Sequence, residues 1–349
     1  MSGRRQHYLP QFLQRPFAHR RSGNQSYVYV HRIDTHFVSS TSGVGVEKDF
    51  YSGPEDTTAD DNVTKAEEGH VETLSAILQK QSIDESDDIA AVIALLSIRT
   101  LKMREAMREL VPQFNDGIKH LASQDEITSG VINQRITDRA WLNKQIDKLA
   151  RENGIKDRNR IAMARAYFRP RLEAELASRK EEIARQLNHL VLICVDRLKS
   201  EASEFADSTF EKIFKSSDSL AKRRTMFSDF SYRLLSSQNT EYILRDCAVV
   251  ATDSSGEACL ALADSDEHVR LSCIYLPISH NTAIFGSRDP STTPLEPDQI
   301  NLLSASLSFR FFISYGQPTD ETSNLRNHIG TSSGIKFDLT QIMASSRAP

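Results

Sequence analysis

Apolar positions recur along this chain in two rhythms. Between about residues 68 and 237 they return every three or four places, the spacing that lines one face of an α-helix; nearer the two ends they alternate or gather in short runs, as in strands. Val71, Leu74, Ile77 and Leu78 predict a short first helix. Ile89, Val92, Ile93, Leu96, Met103, Met107 and Leu110 predict a second. Asp84 or Ser86 can cap it, Asp87 and Asp88 sit in its first turn where the helix dipole favours acids, and Pro112 should end or kink it. A third helix is expected over 125–152, closed by Asn153 and Gly154. A long helical stretch over 157–215 carries Leu172, Leu176, Ile183, Leu187, Val191, Cys194 and Leu198 on one stripe, extended by Phe205, Ile213 and Phe214, with a kink or a fresh start at Pro170. A further helix covers 220–235.

Strands are predicted over 25–31 and 35–40, and again over 242–251, 258–263, 269–277 and 283–286, with turns at 253–256 and 264–266 that suit an antiparallel meander. Residues 297–315 read as a closing helix, with Ile300, Leu303, Leu307 and Phe311 on one face. The acidic stretch before the first helix, with Gly53, Pro54 and several threonines, reads as an exposed loop. There is no internal repeat. The pattern therefore predicts a helix-dominated α+β fold, in which N-terminal and C-terminal strands form a small antiparallel or mixed sheet packed on a helical middle. It is read as one compact domain over 1–316: an arm with strands (1–65), the helical middle (66–237), and a meander with a closing helix (238–316). Residues 317–349 are expected to be a loosely ordered tail.

Composition narrows the class. Of the 349 residues 39% are hydrophobic and 26% charged, too apolar for a disordered chain. A net charge of −4 argues against a wholly basic nucleic-acid coat but leaves room for a local basic patch. No apolar stretch follows the basic start, so no signal peptide is expected. The longest apolar runs, Ile89–Leu96 and Leu190–Val195, fall far short of the roughly 20 residues that span a bilayer. The four cysteines show no close pairs: Cys194 is expected to be a buried thiol, and a zinc site from Cys247, Cys259 and Cys273 is disfavoured. The expected compartment is the cytoplasm.

One segment is specific. His7, Tyr8, Pro10, Phe12 and Phe17 form a His-Tyr-x-Pro-x-Phe-x-x-x-x-Phe pattern, followed by Val28 and Tyr29 and then by Glu47, Phe50 and Tyr51. The run resembles the bacterial domain of unknown function 4238 family, and Glu72 resembles the acidic residue that family places early in its first helix. Toward the C-terminus the likeness is thinner: Asp246, Pro277, Ser279 and Asn301 match, while Arg245 and Ala248 stand where the family has a serine and a proline. The resemblance implies a cytoplasmic bacterial protein, often from mobile or defensive gene neighbourhoods, with no activity to carry over.

The chemistry on offer is modest. His7, in a proline-anchored aromatic segment, is a candidate general base or metal ligand, since an imidazole titrates near neutrality; its alternative is a histidine that pins the arm. Asp246 interrupts an apolar strand, where a carboxylate is costly without partners; it is either a site residue or a cap on a turn. With Glu47 these two could hold Mg²⁺ or Mn²⁺, and Asn301 could orient a substrate. A basic helix presents Arg158, Arg165 and Arg169 on one face, suited to phosphate backbones unless acidic neighbours claim the arginines. No phosphate-binding loop, dinucleotide fingerprint, zinc-protease motif or serine-hydrolase elbow is present. The leading expectation is a metal-assisted hydrolase acting on nucleic acid. The alternative is a non-enzymatic module that binds nucleic acid or a partner protein in a bacterial defence or mobile-element system.

Overall fold

The structure is a computed structural model that describes residues 5–51, 53, 55–122, 125–259 and 271–332. The expected turn at 264–266, the ends of the neighbouring strands and the tail beyond 332 lie outside these. In chain order the elements are β1 (Arg5–His7), α1 (Gln11–Gln14), β2 (Arg20–Ser22), β3 (Gln25–His31), β4 (His36–Ser40), β5 (Val46–Lys48), α2 (Thr58–Lys80), α3 (Ser86–Ile98), α4 (Leu101–Ala122), α5 (Asp125–Thr137), α6 (Arg139–Glu152), α7 (Arg158–Ser178), α8 (Lys180–Ser200), α9 (Ala202–Lys215) and α10 (Ser217–Ser228). The chain continues with β6 (Ser231–Ser236), β7 (Leu244–Arg245), β8 (Val250–Asp253), β9 (Ala258–Cys259), β10 (Leu271–Ser279), β11 (Thr282–Ser287), α11 (Pro297–Leu307), β12 (Phe312–Ser314) and α12 (Asp320–Arg326). The class is α+β, helix-dominated, with small antiparallel sheets built from both ends of the sequence.

Two compact units can be distinguished, one from Met1–Met107 with Ala206–Phe337, the other centred on Arg108–Phe205. In the first, β3 pairs antiparallel with β2, β4 and β12, and β12 pairs in turn with β7. The N-terminal strand thus joins C-terminal ones. The meander, however, forms a sheet of its own in the order β6-β11-β10-β8-β9. Its β10 is buried at Leu271, Ile274, Leu276 and Ile278, the near-continuous apolar run of a strand covered on both faces. Helix α3 is apolar all round, from Ile89 through Ile98, and accordingly lies in the core with α2 and α10 against it. A third, two-stranded ribbon pairs β1 with β5, His7 opposite Val46 and Gln6 opposite Glu47.

Several helical readings ran through breaks. The second predicted helix divides at Arg99 and Thr100, where the Thr100 hydroxyl accepts the backbone N–H of Met103 at 3.0 Å and starts α4 afresh. Pro112 does not end α4. The third divides at Asp138, whose side chain caps α6 through the N–H of Trp141. The long stretch is three helices, α7 to α9, and Pro170 lies inside α7 without ending it. The readings over 220–235 and 297–315 each fused a helix with a strand, β6 and β12, because short strands carry too few residues to show a period of two. The acidic loop is in part helix: Asp60 and Asp61 occupy the first turn of α2, where acids are favoured. Beyond 317, α12 is fixed by a capping box at Thr319 and buries Leu325, and Ile329 just past its end is buried too.

In the second unit α6 packs on α7 and α5 on α8. Cys194, expected inside, is exposed. It lies among Leu187 (39% exposed), Leu190 (58%) and Ile193 (52%) on an exposed face of α8.

Candidate functional site

The N-terminal motif is first of all an anchor. The backbone N–H groups of Tyr8 and Leu9 donate to the Gly45 carbonyl at 2.8 and 3.2 Å. The fully buried Gln14 donates through Nε2 to the carbonyls of Leu9 and Val44, and the Gln6 Oε1 accepts the N–H of Tyr51 at 2.6 Å. Gly45 sits at φ +63°, and an added Cβ would lie 2.5 Å from that of Leu9, so only glycine lets the two segments close this tightly.

Against this anchor lies a cleft of about 370 Å³. Its walls include Arg5 and His7 of β1, Tyr51, and Asp60, Asp61 and Glu67 of α2, with Arg99 from the break after α3. Arg99 is 2% exposed. One guanidinium nitrogen donates to Glu67 and another to the His7 carbonyl, while its plane lies over the Tyr51 ring, 5.4 Å from the centroid. The Tyr51 hydroxyl donates to the same His7 carbonyl at 2.7 Å. Burial works against the charge of Arg99, but Tyr51 and Glu67 outweigh it and hold the guanidinium protonated.

His7 titrates below the usual histidine range, because burial disfavours its cation; the backbone carbonyls of Thr41 and Ser42 partly oppose this, and Arg99 reinforces it. The ring is therefore neutral at pH 7. Its Nε2 is buried without a hydrogen-bond partner, as is the Nε of Arg99. With Nε2 partnerless and the carbonyls nearby, a proton on Nδ1 and a lone pair on Nε2 is the tautomer the surroundings favour. Deeper in the same region, His70 is driven down to about 4 by burial and then by Arg99, against Glu67 and Asp88.

The other expected residues do not join His7. Asp246 is 1% exposed, at the turn after β7. Its two oxygens accept the backbone N–H groups of Phe309, Arg310 and Phe311 at 2.8, 2.6 and 3.3 Å. Burial pushes its carboxyl up, against these three amides, which favour the ionised form. It caps the loop between α11 and β12. The strand ends here in a turn with Ala248 at φ +52°, and Arg245 is fully buried, donating to the carbonyls of Val249 and Leu307. The Glu47 carboxylate accepts from Arg310 at 3.1 Å. Asn301 is consumed by backbone, accepting from Ile243 at 3.0 Å and donating to the Glu241 carbonyl at 2.8 Å. No group of three His, Cys, Asp or Glu among the described residues is placed to hold a metal ion, so the expected Mg²⁺ or Mn²⁺ set of His7, Glu47 and Asp246 does not assemble. Glu72 is exposed; the acid that matters in α2 is Glu67.

The basic helix is largely answered by acids. Arg165 forms a two-pronged pair with Asp147 at 2.6 and 2.5 Å, and Arg169 lies 3.7 Å from Glu173. Arg158 is exposed. Beside it, α6 and α7 flank an apolar groove of about 590 Å³ lined by Ile146, Leu149, Phe168 and Leu172 among others. No helix among the described residues is long and apolar enough to cross a membrane.

Sequence reasoning missed Arg99 and Glu67. The signal was present: a lone arginine directly after the apolar run Ile89–Ile98 must take its charge into the core and needs a carboxylate to meet it. In comparisons with known proteins, the family described as Protein of unknown function (DUF4238) matches residues 5–329. No curated protein and no solved structure matches the chain.

Proposed function

The chain belongs to the DUF4238 family of proteins of unknown function, and on that premise we propose that it is a hydrolase that works without a metal ion, with His7 as general base in the cleft beside Arg99. The observation that carries the reading is the neutral imidazole of a residue that lines a polar cleft, its Nε2 left without a partner among the described residues. A histidine with its proton on Nδ1 and its lone pair on Nε2 is arranged to take a proton from water. Arg99 and Tyr51 act as positioning residues: both hold the carbonyl of His7, and so the strand that carries the ring.

The test is a panel of ester, amide, phosphomonoester and phosphodiester substrates, with single-stranded and duplex nucleic acid, assayed in excess EDTA. Turnover that persists in EDTA and is lost in His7→Ala, with the unfolding midpoint retained, supports the reading. Turnover that requires Mg²⁺ or Mn²⁺, or that survives His7→Ala, contradicts it. Nucleic acid is the less favoured substrate, because three carboxylates and two guanidinium groups line the cleft and the basic helix spends Arg165 and Arg169 on acids.

A second reading, a protein-interaction module, rests on a different observation: the open apolar face of α8 at Leu187, Leu190 and Ile193. An exposed apolar stripe on a helix is costly to leave in water. Light scattering on the purified chain and on Leu190→Glu distinguishes the case: a self-associating wild type made monomeric by the substitution supports it, and a monomeric wild type argues that no second copy covers the face.

A further inference from the structure

The cleft also carries information about what it receives. Its charges are not balanced. Glu67 is spent on Arg99. Arg5 stands exposed on the rim, where water screens it. Asp61 accepts the Thr57 hydroxyl at 2.8 Å and is exposed. Asp60, in contrast, is half-buried in the wall, and its carboxylate has no ion pair or hydrogen bond among the described residues. A carboxylate with restricted access to water and no donor is an unfilled demand for one. His7 lines the same cleft, and its Nε2, partnerless among the described residues, is an acceptor when the ring proton is on Nδ1. Two acceptors without donors line one cavity, and one of them is an anion.

Resting on the reading of His7 as a base in this cleft, we infer that the ligand presents a hydrogen-bond-donating cation, a primary ammonium or a guanidinium, to Asp60, inside the cleft that His7 lines. A lysine or arginine side chain, a free amino terminus or a small polyamine meets that description; a phosphate or carboxylate would add a third acceptor where two already lack donors. The volume of about 370 Å³ suits a side chain or a small molecule and not a folded domain.

The experiment uses the full chain, ¹⁵N-labelled at histidine, with the His7 ring signals assigned by their loss in His7→Gln. Butylammonium and guanidinium chloride are titrated against sodium butyrate and sodium phosphate at constant ionic strength and pH 7.5. The expected result is a saturable shift of the His7 Nε2 signal with either cation and none with either anion. Asp60→Asn should raise the apparent Kd for butylammonium by about fivefold or more, the weight of one partly buried ion pair. Saturable binding of the anions, no response to either cation, or a Kd unchanged in Asp60→Asn overturns the inference. The spectrum without ligand keeps the two claims separable: a proton on Nδ1 with no cation response removes only the ligand class, whereas a proton on Nε2 at pH 7.5 removes the base itself.

Discussion

Replacing Glu67 with glutamine should be among the most costly single-atom changes this fold can suffer outside its apolar core. The substitution keeps the shape of the side chain and one acceptor oxygen but removes the charge that answers Arg99. Arg99 is 2% exposed and Glu67 27%, so the guanidinium cannot turn to water when its partner is neutralised, whereas the carboxylate could. Breaking a buried pair from one side typically costs about 3–5 kcal/mol, because the remaining charge stays desolvated. The Tyr51 ring and the His7 carbonyl still touch Arg99, and both favour a cation, which places the expected loss near the lower end, ~3 kcal/mol. Arg99→Met should cost less, ~1–2 kcal/mol, since Glu67 reaches solvent and only the bond to the His7 carbonyl is lost. The double variant should resemble Arg99→Met alone. Urea unfolding of the four proteins at pH 7.5 gives the cycle directly. A loss below about 1 kcal/mol for Glu67→Gln, the value of an exposed pair, or additive effects in the double variant, would show that Arg99 and Glu67 do not form the buried pair on which the cleft is built.

Three further outcomes follow from the geometry. Gly45→Ala should destabilise by about 3 kcal/mol in urea unfolding, since it combines a left-handed φ with overpacking against Leu9; a loss under 1 kcal/mol would contradict the tight crossing. Asp246→Asn should cost about 2–3 kcal/mol, because its amide nitrogen replaces one acceptor oxygen and leaves either the Phe309 N–H or those of Arg310 and Phe311 without an acceptor, and the His7 ring signals should stay in place; a wild-type midpoint would mean that Asp246 does not cap this loop. His31 is fully buried and is driven down to about 4 by burial and then by His36 and Arg326, so the unfolded chain takes up its proton first. Its contribution, on the order of 3 kcal/mol, is complete above about pH 6.5 and is lost as pH falls toward 4. Unfolding at pH 7.5 and 4.5 should show a smaller pH difference in His31→Gln than in the wild type; equal differences would refute this.

What the sequence disclosed depended on how much of each signal was local. Long amphipathic helices and the strand at 25–31 announced themselves by period. Their breaks did not, because Thr100 and Asp138 act as caps only once the chain turns there. Strands β6 and β12 were absorbed into neighbouring helices for want of length. The anchored, aromatic frame around His7 was legible in the sequence. Its company was not: Asp246 and Asn301 satisfy backbone groups brought near only by the fold, and Glu67 reaches Arg99 across 32 residues. The arginines of α7 looked like a phosphate surface because nothing local reveals that Asp147, on the preceding helix, folds back onto Arg165.

The central claim, a neutral base poised in a polar cleft, reduces to the state of one ring. Two-bond ¹H–¹⁵N spectra of the histidine side chains, followed from pH 8 to pH 4.5 in EDTA and assigned with His7→Gln, report it directly. The account predicts a His7 ring protonated on Nδ1 at pH 7.5, titrating below the ordinary value of about 6.5, as burial requires. A His7 ring protonated on Nε2, or one that carries both protons at pH 7, would contradict it.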